Sequence, residues 1–323
     1  MHPAAVHCAA MRASTIRDGE ILVEEHPDPQ PGAGQVLVRV RGAGINGADM
    51  MQLAGHYPAP AGSSPDIPGL ELAGVVEALG EGAARFAEGD RVMGIAGGGG
   101  QAELAVVHER QLMPVPDAVG FPEAGGLPEV FTTAHDAVFT QAGLRIGERL
   151  LVHGGAGGVG TAAIQLARAA GAHVTATVRN EDNRDACEQL GAHEVIDPEG
   201  FEQHGPFHVV LELVGAPNLP GDLKALATGG RIVVIGVSAG AKAELNLLAL
   251  MGKRGRIMAS TLRARPLEEK AATARAVERE VLPLFQRGEL RVPVAETFAL
   301  DDVAAAYERF AGGGKLGKIL LEP

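Results

Sequence analysis

The sequence predicts an α/β fold: a doubly wound parallel sheet, preceded by a smaller, mostly-β domain. Three observations carry this. From about residue 128 onward, apolar strand-like runs alternate with helical segments, which implies right-handed crossovers and a parallel sheet. A cluster of glycines stands between the first of those runs and its helix. The first third is instead rich in Gly and Pro, with short alternating runs and few helical patterns. At 323 residues the chain has room for about two domains.

Each element has its own signal. "QVLVRVRGAGI", from Gln35, alternates apolar residues with Arg, the period of a half-buried strand. "LELAGVVEALG", "DRVMGI" and "QAELAVV" read as further short strands. In the second half "LLVH" is a strand and a helix runs from Val159 to Ala170. "HVTATV" is the next strand, and "EDNRDACEQLGA" a helix stopped at Gly191. "EVID" and "FHVVLELV" are strands, "LPGDLKALATGG" is a helix and turn, and "RIVVIG" is a strand. These strands are continuous apolar runs, as expected when both faces of a sheet are covered. After about Arg265 come an Ala/Glu/Arg helix, "ETFALDDVAAAYERF" and the strand "GKILLEP". They break the alternation and are expected to return to the first domain. The boundaries expected are 1–128, 129–266 and 267–323.

Composition narrows the function. The net charge is -12, which argues against nucleic acid or an anionic membrane as the main partner. "KRGRIMASTLRARP", from Lys253, runs against that balance and reads as a solvated loop and helix end. No apolar run is long enough to span a bilayer. The two cysteines, Cys8 and Cys187, cannot build a disulfide framework, and a reducing cytoplasm fits them. Residues 1–10 read as an extension without the features of a signal peptide.

The glycine cluster "HGGAGGVG" carries the chemistry. Gly155, Gly157 and Gly160 have GxGxxG spacing between a strand and a helix, the setting of a Rossmann dinucleotide site. Gly155 is expected to make the tight turn, Gly157 to admit the pyrophosphate and Gly160 to let helix pack on strand. Ala156 completes the loop, and the N–H groups of Gly158 and Val159 face the phosphates. Past the second strand, Arg179 suits the 2′-phosphate of NADPH; alternatively it pairs with Glu181 or Asp182. Asn180 is expected to cap the next helix. Gly215 and Gly236 end parallel strands, where such sheets bind ligands.

The stretch from Gly147 to Arg168 resembles the signature of the zeta-crystallin-type quinone oxidoreductases, in the medium-chain dehydrogenase/reductase superfamily. Gly147, Glu148, Leu151, Gly155, Ala156, Gly157, Gly158, Gly160, Gln165 and Arg168 carry it. "GINGADMMQLAGHYP", "PGLELAGVV", "LPEVFTTAHDAV" and "LGKILLEP" extend the likeness over nearly the whole chain from Met11. "ADMMQLAGHY" and "GGGGQAELAVVHERQLMPVP" are most similar to the tumour-suppressor-inducible quinone oxidoreductase subgroup.

The resemblance implies a GroES-like catalytic domain interrupted by the nucleotide domain, a cleft between them, and a homodimer. It implies no zinc: Asn46 stands near the place of a zinc-binding Cys, and Leu70 and Glu71 stand where the His would be. Glu71 is then structural. It also makes Tyr57 the cleft tyrosine, whose phenol can donate to a substrate oxygen as charge builds there. Asn46 and Thr133 would lie near the nicotinamide. Asp49 would orient Tyr57 or a water, or cap a helix. Lys318 would lie near the cofactor, or be exposed at a strand start. The four glycines at 97–100 read as a mobile loop. The expected activity is NADPH-dependent quinone reduction. Reduction of conjugated enones or alkenals, and an NADPH-binding sensor without turnover, are the alternatives.

Overall fold

The computed structural model describes residues 10–323, so Cys8 lies outside the described residues. An antiparallel hairpin, β1 (Ala10–Arg17) and β2 (Glu20–Pro27), leads into β3 (Gln35–Gly44), α1 (Gly47–Leu53), β4 (Glu71–Leu79), β5 (Arg91–Ile95), β6 (Leu104–His108) and β7 (Leu112–Pro114). After α2 (Pro128–His135) the alternation begins: β8 (Arg149–Val152), α3 (Gly158–Ala169), β9 (His173–Thr177), α4 (Arg184–Gln189), β10 (Glu194–Ile196) and β11 (Phe207–Glu212). It continues with α5 (Leu219–Ala225), β12 (Leu226–Val234), α6 (Leu247–Lys253) and β13 (Arg256–Ala259). The chain closes with α7 (Leu267–Glu280), α8 (Leu282–Gln286), β14 (Val294–Ala299), α9 (Val303–Ala311) and β15 (Lys318–Glu322).

The second sheet is parallel throughout, in the order β10-β9-β8-β11-β12-β13. Both of its faces are covered. Leu150 and Val152 of β8 join one core with α2 and α3, whereas Leu151 joins another with Phe201, Phe207 and Leu226. The strand order reverses between β8 and β11, so a crevice opens at their carboxyl ends, where open α/β sheets bind ligands.

The other large sheet runs β14-β15-β3-β4-β5-β7, with β6 also pairing β3. Its interior is built from valines and small residues, Val36, Val38, Val40, Val76 and Val92 among them. The C-terminal segment does return: β15 pairs antiparallel with β3. Gly317, just before β15, donates its N–H to Ala156 O at 2.8 Å. The last strand is thus fastened to the glycine loop of the other sheet.

Three readings are corrected. "LKALATGG" is not a helix and turn. β12 already begins at Leu226, where the chain starts pairing with β11 at Phe207. The basic segment from Lys253 is not a solvated loop. It contains edge strand β13, Arg263 is only 3% exposed, and Arg265 pairs with Asp136 at 2.6 Å. The glycine run at 97–100 is fastened rather than free, with Gly99 N–H on Ile67 O at 2.8 Å and Gly100 N–H on Gly69 O at 3.2 Å.

Candidate active site

The glycine loop is shaped by backbone contact. The left-handed residue is Gly154, with φ +67°, so the tight turn falls one residue before the expected Gly155. Gly155 is small for another reason: a Cβ there would stand 2.8 Å from Ala176 Cβ. At Gly160 a Cβ would lie 2.4 Å from Gly154 O, the close helix-on-turn packing expected of it. Gly157 differs. It precedes α3 with an ordinary φ of -74°, and its Cβ would meet only Gly154 O, at 3.4 Å. Neither strain nor protein packing requires glycine at 157. The open space in front of it, beside the free N–H groups of Gly158 and Val159 at the head of α3, fits a pyrophosphate.

Arg179 lies just past β9, exposed. Among the described residues it has no carboxylate within salt-bridge distance; Glu181 pairs with Arg184 instead. Arg179 Nη2 faces Gly313, and Asn180 and Asn183 both donate to Gly314 O, at 3.3 and 3.2 Å. Asn180 caps the following turn through Asp182 N–H, as expected. Burial pushes Lys315 in the adjoining loop down to about 8, and the charges of Lys318 and Arg309 act the same way. Gly215 and Gly236 sit just beyond β11 and β12, where carbonyls leave no room for a side chain. A Cβ would be 2.5 Å from Gly240 O at the first and 2.2 Å from Leu213 O at the second.

Across the crevice, Asn46, Asp49, Glu71 and Lys318 form one buried polar cluster. Lys318 is not exposed. Its Nζ sits 2.6 Å from Glu71 Oε1, 2.6 Å from Asn46 Oδ1 and 2.9 Å from Ile45 O. Its stem passes Gly158, where a Cβ would stand 2.9 Å from Lys318 Cδ. Asn46 turns its nitrogen to Glu71 Oε1 at 2.9 Å and its oxygen to the ammonium. Asp49 is a cap, not a partner of Tyr57. Its oxygens accept the N–H groups of Asn46 at 2.8 Å and Gly69 at 3.0 Å. Burial nonetheless pushes its carboxyl up to about 6.

Tyr57 is half-buried near this cluster, and its hydroxyl has no protein partner among the described residues. Burial raises its phenol above the ordinary value, the charge of Arg263 opposes that, and the charge of Glu129 adds to it. The Arg263 guanidinium lies 5.1 Å from the Tyr57 ring centre. It donates to Tyr57 O at 3.0 Å, Gly97 O at 2.8 Å and Gln52 Oε1 at 2.6 Å. Sequence reasoning missed Arg263 because nothing local distinguishes it from the other arginines of its segment. It missed Glu129 as well. Glu129 stands one helical turn before Thr133, and Thr133 Oγ1 lies 3.4 Å from Glu129 Oε1. That four-residue spacing on a helix opened by Pro128 was the available signal.

One further trio is close-set. His153 bonds Asp222 at 2.8 Å and Thr177 at 3.2 Å, with Glu212 Oε2 3.9 Å away, all three buried. Glu212 Oε1 accepts the N–H groups of Val214 and Gly215 at 2.5 and 2.7 Å. The trio therefore holds the chain end of β11 in shape beneath the crevice. Cys187 is buried, and burial pushes its thiol up to about 11, so it is an inert thiol.

A split β domain enclosing a dinucleotide-type parallel sheet defines a medium-chain dehydrogenase/reductase. Residues 32–117 match the alcohol dehydrogenase GroES-like domain, and residues 158–278 match the zinc-binding dehydrogenase family. Quinone oxidoreductase of Mus musculus is 32% identical over 307 residues, covering 91% of this chain and 90% of that protein. Acryloyl-coenzyme A reductase of Sulfurisphaera tokodaii is 30% identical over 333 residues, covering 93% and 96%. The crystal structure of an alcohol dehydrogenase superfamily protein from Novosphingobium aromaticivorans matches with a TM-score of 0.86 at 30% identity, over 97% of this chain and 99% of that one. The chain belongs to the quinone oxidoreductase family of the medium-chain superfamily. It is an oxidoreductase of the kind that takes a nicotinamide cofactor.

Proposed function

We propose that the protein reduces quinones with NADPH, without a catalytic metal, in the crevice between its two sheets. The observation that carries this is Lys318. Its ammonium stands among Glu71, Asn46 and the Ile45 carbonyl. A cation already fixed there opposes a second one, and a lysine, an amide and a carboxylate are a poor zinc donor set. Without a Lewis acid to polarise a carbonyl, electron-poor acceptors are favoured.

The chain's residues divide the remaining tasks. Gly157, Gly158 and Val159 receive the pyrophosphate, with Gly155, Ala156 and Gly160 shaping the loop. Arg179, unpaired and next to the loop carrying Lys315, supports NADPH over NADH. Gly215 and Gly236 bring backbone to the nicotinamide side, and Asn46 and Thr133 line its approach. The free Tyr57 hydroxyl donates to the substrate oxygen as negative charge develops. When bound, the nicotinamide supplies hydride.

A second reading, reduction of conjugated double bonds, is favoured by the likeness to acryloyl-coenzyme A reductase. We place the protein in the cytoplasm, where the buried free thiol of Cys187 stays reduced. No helix among the described residues is long and apolar enough to cross a membrane. Chelator-treated protein should oxidise NADPH with ortho-quinones at an unchanged rate. Activity lost on chelation and restored by zinc would overturn the metal-free reading.

A further inference from the structure

We propose that Glu129 is the proton store of the crevice, a neutral carboxylic acid whose proton passes to the substrate oxygen during reduction. The inference rests on the reductive reading above and adds the proton donor to it.

The argument starts from how three neighbouring carboxyls share their donors. Asp49 accepts two backbone N–H groups, at 2.8 and 3.0 Å. Glu71 takes the Lys318 ammonium at 2.6 Å, the Asn46 amide at 2.9 Å and the Glu129 N–H at 2.8 Å. Glu129 has only the Thr133 hydroxyl, at 3.4 Å on Oε1, and its Oε2 is sealed from water with no partner. A buried carboxylate without donors is costly, whereas the protonated acid is not.

The charges facing Glu129 from each packed element act in the same sense. Burial is the largest cause raising its carboxyl, the Glu71 charge on β4 comes next, and the Asp49 charge on α1 adds to both. Lys318 on β15 and the Thr133 hydroxyl on α2 oppose them, and the result is a rise to about 8. Arg263 and Tyr57 both feel the Glu129 charge from the cleft side. Lys318 is already engaged by Glu71, so no cation pairs directly with Glu129.

The step balances. The substrate gains two electrons and a hydrogen as hydride from the nicotinamide. The O–H bond of Glu129 breaks and an O–H bond forms on the substrate oxygen. The hydroxyls of Thr133 and Tyr57 can hand the proton on, each taking one as it gives one. Glu129, left as a carboxylate, regains a proton from water between turnovers.

Infrared difference spectroscopy on the cofactor-free protein tests the proton directly. Wild type should show a protonated-carboxyl band at neutral pH that titrates away around pH 8 and is absent from Glu129→Gln. The Thr133→Val variant should keep that band, so the test survives if Glu129→Gln fails to fold. In turnover, Glu129→Gln should lose roughly a hundredfold in kcat at pH 7, and the fall in wild-type kcat above about pH 8 should vanish with it. Its melting temperature should rise relative to wild type between about pH 5 and pH 9, because a raised carboxyl loses stability as it ionises. A carboxylate spectrum at pH 7, or matching pH profiles for the two proteins, would overturn the proposal. Wild type that reduces no acceptor would instead remove the reductive reading, and the donor role with it.

Discussion

Lys318 shows how one side chain can serve several ends. It neutralises Glu71, orients the Asn46 amide and passes against Gly158 at the head of α3. Arg179 is the contrasting case, a cation left without a partner at the place where a 2′-phosphate would lie. Arg179→Ala should weaken NADPH by roughly ten- to a hundredfold, one charge-assisted hydrogen bond, while changing NADH little. The fluorescence of the reduced cofactor on binding measures both, and equal losses would sink the phosphate assignment. Tyr57→Phe should lower kcat by roughly a hundredfold, with cofactor affinity unchanged. An unchanged rate would remove its hydroxyl from the chemistry. At this scale the glycines, Arg179 and Tyr57 were legible because their chemistry is local to a motif. Arg263 and Glu129 were not, since their roles come from burial and from partners far along the chain.

Among the elements, the turn from β8 into α3 separates two reasons for glycine. At Gly160 an added Cβ would meet backbone atoms at 2.4 and 2.8 Å, which cannot move independently. Gly160→Ala should cost about 1–3 kcal/mol of stability, the range of overpacking. At Gly157 the space is open, so Gly157→Ala should melt near wild type yet bind cofactor far more weakly. Thermal melts beside cofactor titrations check the pair; a large melting loss in Gly157→Ala would mean that the loop, not the ligand, requires that glycine. The βαβ alternation was readable from apolar runs of matching length. The start of β12 was not, because "LKALATGG" has helical composition and only pairing with β11 makes it extended. Edge strand β13 was hidden for a related reason: its residues include Arg, and half of its pairing is missing.

For the whole molecule, that edge has a consequence. β13 ends the parallel sheet, and α6 beside it exposes Leu247 (64%), Leu248 (76%) and Met251 (70%). An open edge next to a large apolar patch is a liability for a monomer. We propose a homodimer joined there. Sedimentation should give a dimer for wild type and a monomer for Leu248→Glu/Met251→Glu, with cofactor binding retained. A monomeric wild type would refute the proposal. The two sheets are meanwhile held together by long-range contacts: β15 fastened to the glycine loop, and Arg263 reaching from beyond β13 to Gln52, Tyr57 and Gly97. The uneven final elements announced this return in the sequence, but not the residues that make it.

The most direct test of the account is NADPH oxidation by the purified protein with a matched panel of ortho-quinones, conjugated enones and alkenals. The account predicts fast turnover of the quinones and slow turnover of the rest. Turnover confined to enones and alkenals, or none at all with NADPH still bound, would contradict it.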